Sequence, residues 1–93
     1  MLFSVLVETR LREGVADPQG STIERSLPAL GFEGVAGVRV GKAFRFTLEA
    51  ADEAAAGAQV DDMCRRFLSN PVIEDTTVTV EAATVEAATG APG

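Results

Sequence analysis

The sequence predicts a single α+β domain with the element order β-α-β-β-α-β. Apolar residues alternate with polar ones in four short segments and recur every three or four residues in two others, and the two kinds of segment interleave. The 93 residues suffice for one domain, and 46% hydrophobic with 24% charged residues is typical of a folded globular chain.

The first strand spans residues 2–10, with three apolar side chains at the two-residue period of a half-buried strand: Phe3, Val5 and Val7. Asp17 is placed to cap a first helix, and Pro18 suits its first position. Three apolar residues follow on one helical face: Ile23, Leu27 and Leu30. Because Pro28 removes a helical hydrogen bond, we expect the last turn to loosen and Gly31 to end the helix in the left-handed conformation.

A hairpin is predicted next. Residues 35–40 form its first strand, Gly41 and Lys42 its turn, and residues 43–50 its second strand. The second strand alternates most strictly in the whole sequence, with Phe44, Phe46, Leu48 and Ala50 on one face and Arg45, Thr47 and Glu49 on the other.

Asp52 is predicted to cap the second helix, which Asn70 and Pro71 end. Its apolar stripe faces a core and comprises Ala56, Val60, Met63, Cys64 and Phe67. The fourth strand is predicted over residues 72–81.

This order is that of the ferredoxin-like fold, a four-stranded antiparallel sheet with two helices on one face. Residues 1–81 form the domain, and residues 82–93, poor in apolar bulk, are expected to be a flexible tail. The other sheet face would carry Leu6, Arg45, Thr47, Glu49 and Thr79. Since so short a chain has nothing left to cover that face, we expect water or a second sheet there.

Composition excludes several functions. A net charge of −6 and a pI near 4.5 argue against nucleic-acid binding. The absence of histidine removes the usual acid–base group, the common nucleophile pairs and most zinc sites. One cysteine, no apolar stretch of membrane-spanning length and no signal-peptide pattern favour the cytoplasm.

The remaining candidates for chemistry are weak. Asp61 and Asp62 diverge by about 100° on a helix, so they do not converge on one metal ion. Cys64 lies on the apolar stripe, as a buried and inert thiol does. Residues 14–20 could bind an anion at a helix start but lack the nucleotide-binding glycine patterns, and capping explains them. The residues therefore indicate an acidic interaction or regulatory domain that associates with partners or with copies of itself.

Three segments in register closely resemble the PurS family, the small subunit of phosphoribosylformylglycinamidine synthase. They are Gly14-Val15-Ala16-Asp17-Pro18-Gln19-Gly20, Ala29-Leu30-Gly31-Phe32 with Val38-Arg39-Val40-Gly41-Lys42, and Met63-Cys64 with Asn70-Pro71-Val72-Ile73-Glu74-Asp75. The resemblance runs from about Phe3 to Asp75. Thr76 stands where family members often carry an aromatic residue.

The resemblance implies a non-catalytic subunit in purine biosynthesis. In this enzyme a glutaminase subunit releases ammonia and a large synthetase subunit activates an amide with ATP. The small subunit joins the two, helps ammonia pass between them, and forms homodimers or higher oligomers. ATP, Mg and glutamine are then used by the complex, and no cofactor binds this chain alone. We expect partner contacts, rather than chemistry, from Asp17, Arg39, Lys42, Asn70 and Glu74.

One alternative is an ACT-like regulatory domain that binds a small amino acid at a dimer interface, since it shares the strand–helix order. An acylphosphatase-like hydrolase would need an arginine in the loop after the first strand, and residues 13–20 contain none.

Overall fold

The computed structural model describes residues 1–83. Three strands, β1 (Leu2–Leu11), β2 (Gly41–Glu49) and β3 (Glu74–Ala82), form one antiparallel sheet in the spatial order β2-β1-β3. Two helices, α1 (Pro18–Ser26) and α2 (Glu53–Met63), alternate with the strands along the chain. Within residues 1–83, neither helix has the length and apolar character that a bilayer crossing requires.

The core lies between β1 and α2. Phe3, Val5 and Val7 are 2%, 4% and 0% exposed, as their alternation predicts. Val5 and Val7 pack with Val60 of α2 and with Cys64, which directly follows α2. Phe3 packs with two small residues, Ala50 and Ala56. The central position of β1, paired on both edges, explains why its apolar face is the best buried part of the sheet.

The predicted strand over residues 35–40 does not form, so the sheet has three strands within residues 1–83 and the ferredoxin-like arrangement is not confirmed. Gly34 and Gly37 adopt positive φ angles of 85° and 72°, which interrupt an extended backbone. The predicted hairpin turn is also wrong, because Gly41 and Lys42 are the first two residues of β2.

Two backbone amides of residues 35–40 donate hydrogen bonds to side chains of α1 and of its N-cap. These amides are therefore engaged and do not pair with a neighbouring strand. The amide of Val38 donates to the Glu24 carboxylate at 3.0 Å, and that of Val40 donates to Asp17 at 2.8 Å. The segment is therefore held by side chains of α1 and of its N-cap instead of pairing as a strand.

The predicted start of α1 is confirmed, whereas the α-helix ends at Ser26, before the predicted end at Gly31. Asp17 caps it, and the helix stops before a short 3₁₀ turn over Pro28–Leu30. Gly31 has a φ of 95°, and the amide of Phe32 donates to the Leu27 carbonyl at 3.1 Å, which completes a Schellman-type end. The apolar side chains of this region stay largely uncovered: Ile23, Leu30 and Phe32 are 41%, 70% and 59% exposed.

α2 ends in a π-helical turn over Cys64–Leu68, where the amide of Ser69 donates to the Cys64 carbonyl. The wider turn changes the helical register by about one residue. Leu68 consequently packs on the core, and Phe67 points outward with 88% exposure. The prediction that Phe67 belongs to the core stripe is wrong for this reason.

The strand register confirms the composition of the open sheet face. Leu6 lies between Arg45 and Thr79, and Ser4 lies between Thr47 and Glu81. No helix within residues 1–83 covers this row, in which mostly polar and charged side chains surround Leu6.

Candidate functional site

One end of the sheet gathers the segments that the sequence singles out. The last residues of β1 lie beside the first residues of both β2 and β3, and the start of α1 lies against them. Together they surround a cleft of about 300 Å³, here named the sheet-end cleft. It is lined by Leu11, Asp17, Gln19, Val40, Gly41, Lys42 and Glu74. Three of the five predicted contact residues thus meet at one place.

Asp17 is a buried residue whose carboxylate holds two segments of the cleft wall together. One carboxylate oxygen accepts from the Gly20 amide at 2.8 Å and the other from the Val40 amide at 2.8 Å, and the residue is 7% exposed. The bonds from Val40 and Gly20 lower the pKa of Asp17 below its ordinary value of 3.8; burial opposes them, and the charge of Arg39 assists them. Asp17 is therefore ionised at neutral pH and ties α1 to the approach of β2.

Two glycines permit the close packing around Asp17. A Cβ atom on Gly20 would collide with the Val38 carbonyl, and one on Gly41 would collide with the Thr9 carbonyl. Backbone thus meets backbone at both points, which holds the wall of the cleft in place.

The two predicted cations differ in their surroundings. Arg39 is exposed, and its guanidinium donates to the Arg12 carbonyl at 3.1 Å. Lys42 is exposed at the rim, and no ion pair within residues 1–83 engages its ammonium group. Lys42 is consequently the cation of the cleft that is available to an acidic group from outside.

Asn70 and Glu74 form a closed turn before β3. The Asn70 amide donates to the Glu74 carboxylate at 2.6 Å, and the Asn70 side-chain oxygen accepts from the Val72 amide at 3.1 Å. The turn fixes Glu74 at the edge of the cleft, whereas Asn70 itself does not line it.

Arg12 is a functional candidate that sequence analysis missed. Its guanidinium donates to the Pro71 carbonyl at 2.6 Å and approaches Asp75 at 3.4 Å, and its own carbonyl accepts from Arg39. It thereby links the turn before β3 to the segment before β2. A single arginine in a loop carries no sequence pattern that would predict this role.

The cleft offers charged and polar groups that a partner could bind, but the residues that line it are not arranged for catalysis. Backbone amides engage the carboxylates of Asp17 and Glu74, and residues 1–83 contain no cluster of three or more potential metal ligands. Cys64 is 3% exposed and lies in the core. Its burial, followed by the charge of Asp61, raises the pKa of the thiol above 9.0, so it is a poor nucleophile at neutral pH.

Comparison with known proteins gives a consistent result. The PurS family model, described as phosphoribosylformylglycinamidine (FGAM) synthase, matches residues 4–82. A relative from Synechocystis, named phosphoribosylformylglycinamidine synthase subunit PurS, is 49% identical over 70% of this chain and 65% of its own length. A relative of the same name from Methanocaldococcus jannaschii is 36% identical over 86% of this chain and 96% of its own length.

Solved structures agree. The crystal structure of Methanocaldococcus jannaschii PurS has a TM-score of 0.78 at 34% identity and covers 88% of this chain and 99% of that one. A chain of PurLQS from Thermotoga maritima has a TM-score of 0.79 at 33% identity, with coverages of 87% and 99%.

Proposed function

This chain belongs to the PurS family and is a subunit of phosphoribosylformylglycinamidine synthase, and we propose that it joins the glutaminase and synthetase subunits of that enzyme. The observation that carries the proposal is the match to PurS proteins over most of the chain, together with the likeness to a chain of the PurLQS assembly. The absence of histidine and the engaged carboxylates of the cleft support a role without chemistry of its own.

The proposed role is to help ammonia pass from one subunit to the other. Ammonia released from glutamine must reach the activated amide before a proton or water intercepts it, so the path needs walls. A subunit without catalytic groups can supply walls and hold the two active sites in register. In this proposal ATP, Mg and glutamine bind the other subunits, and this chain alone binds no cofactor.

We propose the sheet-end cleft as the surface that meets those subunits. Lys42 at the rim and the neighbouring Arg39 are exposed cations for acidic groups of a partner, and Glu74 lines the cleft together with Lys42. Asn70 shapes the turn that presents Glu74, and the buried Asp17 acts indirectly by positioning the approach of β2.

We also propose that the chain forms homodimers in the cytoplasm. A chain of this length leaves large apolar side chains of α1 and the following turn exposed, and both outer strands of its sheet have one unpaired edge within the described residues. Association would remove this apolar surface from water. Analytical ultracentrifugation tests the proposal, and a species with the mass of one chain at all concentrations would contradict it.

Reconstitution tests the adaptor role directly. FGAM formation is measured for the synthetase and glutaminase subunits with and without this chain, once with glutamine and once with ammonium chloride as nitrogen source. We expect omission to abolish most glutamine-dependent turnover and to affect ammonia-dependent turnover much less. Unchanged glutamine-dependent turnover would refute the proposal.

Variants at the cleft test the surface. Lys42→Glu is expected to weaken complex assembly about tenfold, since it reverses a charge at a contact. Arg25→Glu is the matched control, because Arg25 is an exposed cation in the last turn of α1 and does not line the cleft. Equal losses in both variants would indicate a general charge effect and not a local contact.

The ACT-like alternative finds no support. The relatives and solved structures described above are PurS proteins.

A further inference from the structure

Lys42 is the only lysine in the sequence. Its side chain is exposed at the rim of the sheet-end cleft, and no ion pair within residues 1–83 engages it. The α-amine of Met1, by contrast, donates to the Glu49 carboxylate at 2.9 Å and to the Ala50 carbonyl at 2.8 Å. Lys42 is therefore the amine that is free to reach an electrophile from solution.

Positive charge faces solvent at this end of an acidic chain. Arg39 directly precedes Val40, which lines the cleft, and like Lys42 it is exposed and forms no ion pair within the described residues. The carboxylates of the cleft are engaged instead, since Asp17 and Glu74 accept hydrogen bonds from backbone amides. A small anion is therefore attracted to this rim, although the whole chain has a net charge of −6.

The cleft beside Lys42 suits a small donor with a short apolar part. Its volume of about 300 Å³ lies at the lower end of ordinary ligand pockets. Leu11 and Val40 contribute apolar side chains to its lining. A short acyl group attached to the Lys42 nitrogen would find apolar surface there, whereas a bulky nucleotide-linked donor would exceed the cleft.

Thr9 adds a polar group without a partner. It is 2% exposed, and within residues 1–83 its hydroxyl oxygen forms no hydrogen bond. It stands directly opposite Lys42 in the sheet, so the two side chains project from the same face. A lysine ammonium is a donor only, but an amide carbonyl on the Lys42 nitrogen would be an acceptor for the Thr9 hydroxyl.

We propose that Lys42 is a modification site that takes the acyl group of a small acyl phosphate. The Lys42 ammonium loses one proton to water, and its nitrogen lone pair attacks the carbonyl carbon of the donor. The C–N bond forms, the C–O bond to phosphorus's oxygen breaks, and phosphate leaves with the bonding electron pair. The nitrogen passes a second proton to the departing phosphate through water. The product is a neutral amide, so the cleft loses its exposed ammonium group.

Loss of this charge has a consequence for assembly, which rests on the proposed role of the cleft as the surface that meets the other subunits. An uncharged amide does not pair with an acidic group of a partner. Acylation of Lys42 therefore weakens docking at the cleft, and the supply of acyl phosphate regulates the enzyme through this one side chain.

Peptide mass mapping after incubation with acetyl phosphate tests the site. We expect the acetyl group chiefly on Lys42 and not on the α-amine of Met1. The matched comparison is Lys42→Arg/Arg25→Lys, which carries its only lysine at an exposed position of α1 that does not line the cleft. Lys42 of the wild type should react about fivefold faster, or more, than the lysine at position 25 of this variant.

An uncharged reagent separates attraction of the donor from exposure of the amine. With N-hydroxysuccinimidyl acetate the two positions should differ by less than about twofold, because no phosphate is attracted. Salt at about 1 M should likewise remove most of the preference seen with acetyl phosphate. The modification site is overturned by chief labelling at Met1, by equal rates at the two positions with acetyl phosphate, or by a preference that is the same for both reagents.

Assembly with the synthetase and glutaminase subunits tests the consequence. The chain acetylated at Lys42 should bind them about tenfold more weakly than the untreated chain. The same treatment of Lys42→Arg should leave its affinity within about twofold of that of the untreated variant, since no amine remains in the cleft. Selective acetylation without loss of affinity would overturn the regulation and the docking surface while the modification site stands. Absent selectivity, with Lys42→Glu still impairing assembly, would overturn the modification site alone.

Discussion

The carboxylate of Asp17 and the amide of Val40 form a hydrogen bond of 2.8 Å across 23 positions of sequence. This bond attaches the segment before β2 to the N-terminus of α1. It makes Asp17 different from Asp52, the N-cap of α2, whose carboxylate is bonded to the local amide of Ala55.

We predict that Asp17→Asn lowers the free energy of unfolding more than Asp52→Asn does. An asparagine cap still accepts from Gly20, but its NH₂ group would face the N–H of Val40. Urea unfolding of both variants measures the difference. Equal losses would mean that the long-range bond adds nothing to the local cap.

The same pair predicts a pH dependence. Because the folded-state pKa of Asp17 is lowered, its contribution to stability is fully present above 3.8, the ordinary value, and is lost as pH falls through the folded pKa. The stability difference between wild type and Asp17→Asn should therefore be constant from about pH 7 to pH 5 and shrink below about pH 4. A difference that grows on acidification would contradict the assignment.

Replacing each of two helical glycines by alanine is predicted to change the stability of the fold in opposite directions. Gly20→Ala should destabilise the fold, since the new methyl group collides with the Val38 carbonyl. Gly57→Ala in α2 meets no atom within 4 Å and should stabilise by about 0.5–1 kcal/mol. Thermal unfolding of the two variants provides the measurement, and stabilisation by Gly20→Ala would show that α1 does not lie close to residue 38.

The π-helical turn predicts unequal roles for two neighbouring residues. Phe67→Ala should change the unfolding free energy by less than about 0.5 kcal/mol, as exposed substitutions do. Leu68→Ala, which removes a half-buried core contact, should cost about 1–2 kcal/mol. The reverse order in chemical denaturation would mean that the helix continues in α-register past Cys64.

Cys64 is predicted to be unreactive while the chain is folded. Its burial and raised pKa suppress thiolate attack, so labelling by a chromogenic disulfide reagent at pH 8 should be about 100-fold slower than in urea. Ala58→Cys in a Cys64→Ala background places a thiol at an exposed position of α2 and should label rapidly. Rapid labelling of native Cys64 would disprove its core position.

Local sequence patterns predicted most of the helices and strands, because the interactions that start and end these elements lie within a few residues. The alternation around Phe3, the cap at Asp17, the left-handed Gly31 and the cap at Asp52 all depend on neighbours within a few residues. The register also confirmed the residues of the open sheet face.

The failures have causes that a hydrophobic period does not contain. Residues 35–40 have the composition of a strand, but two carboxylates distant in sequence take their amides and two glycines turn the backbone. Phe67 lies outside the core because the turn over Cys64–Leu68 is of the π type, which the α-helical period of the sequence does not predict. Arg12 gained its contacts only when three segments met at the sheet end. The expected tail over residues 82–93 falls mainly outside the described part of the chain.

The exposed side chains of Ile23, Leu30 and Phe32 affect the lifetime of a copy of this chain that has not joined the complex. Chaperones and proteases recognise apolar surface of this kind, so a chain made in excess of its partners is expected to be cleared faster than one within the complex. The cellular amount of this small subunit would then follow the supply of the larger ones, and the ratio of the three would be maintained by degradation as well as by synthesis.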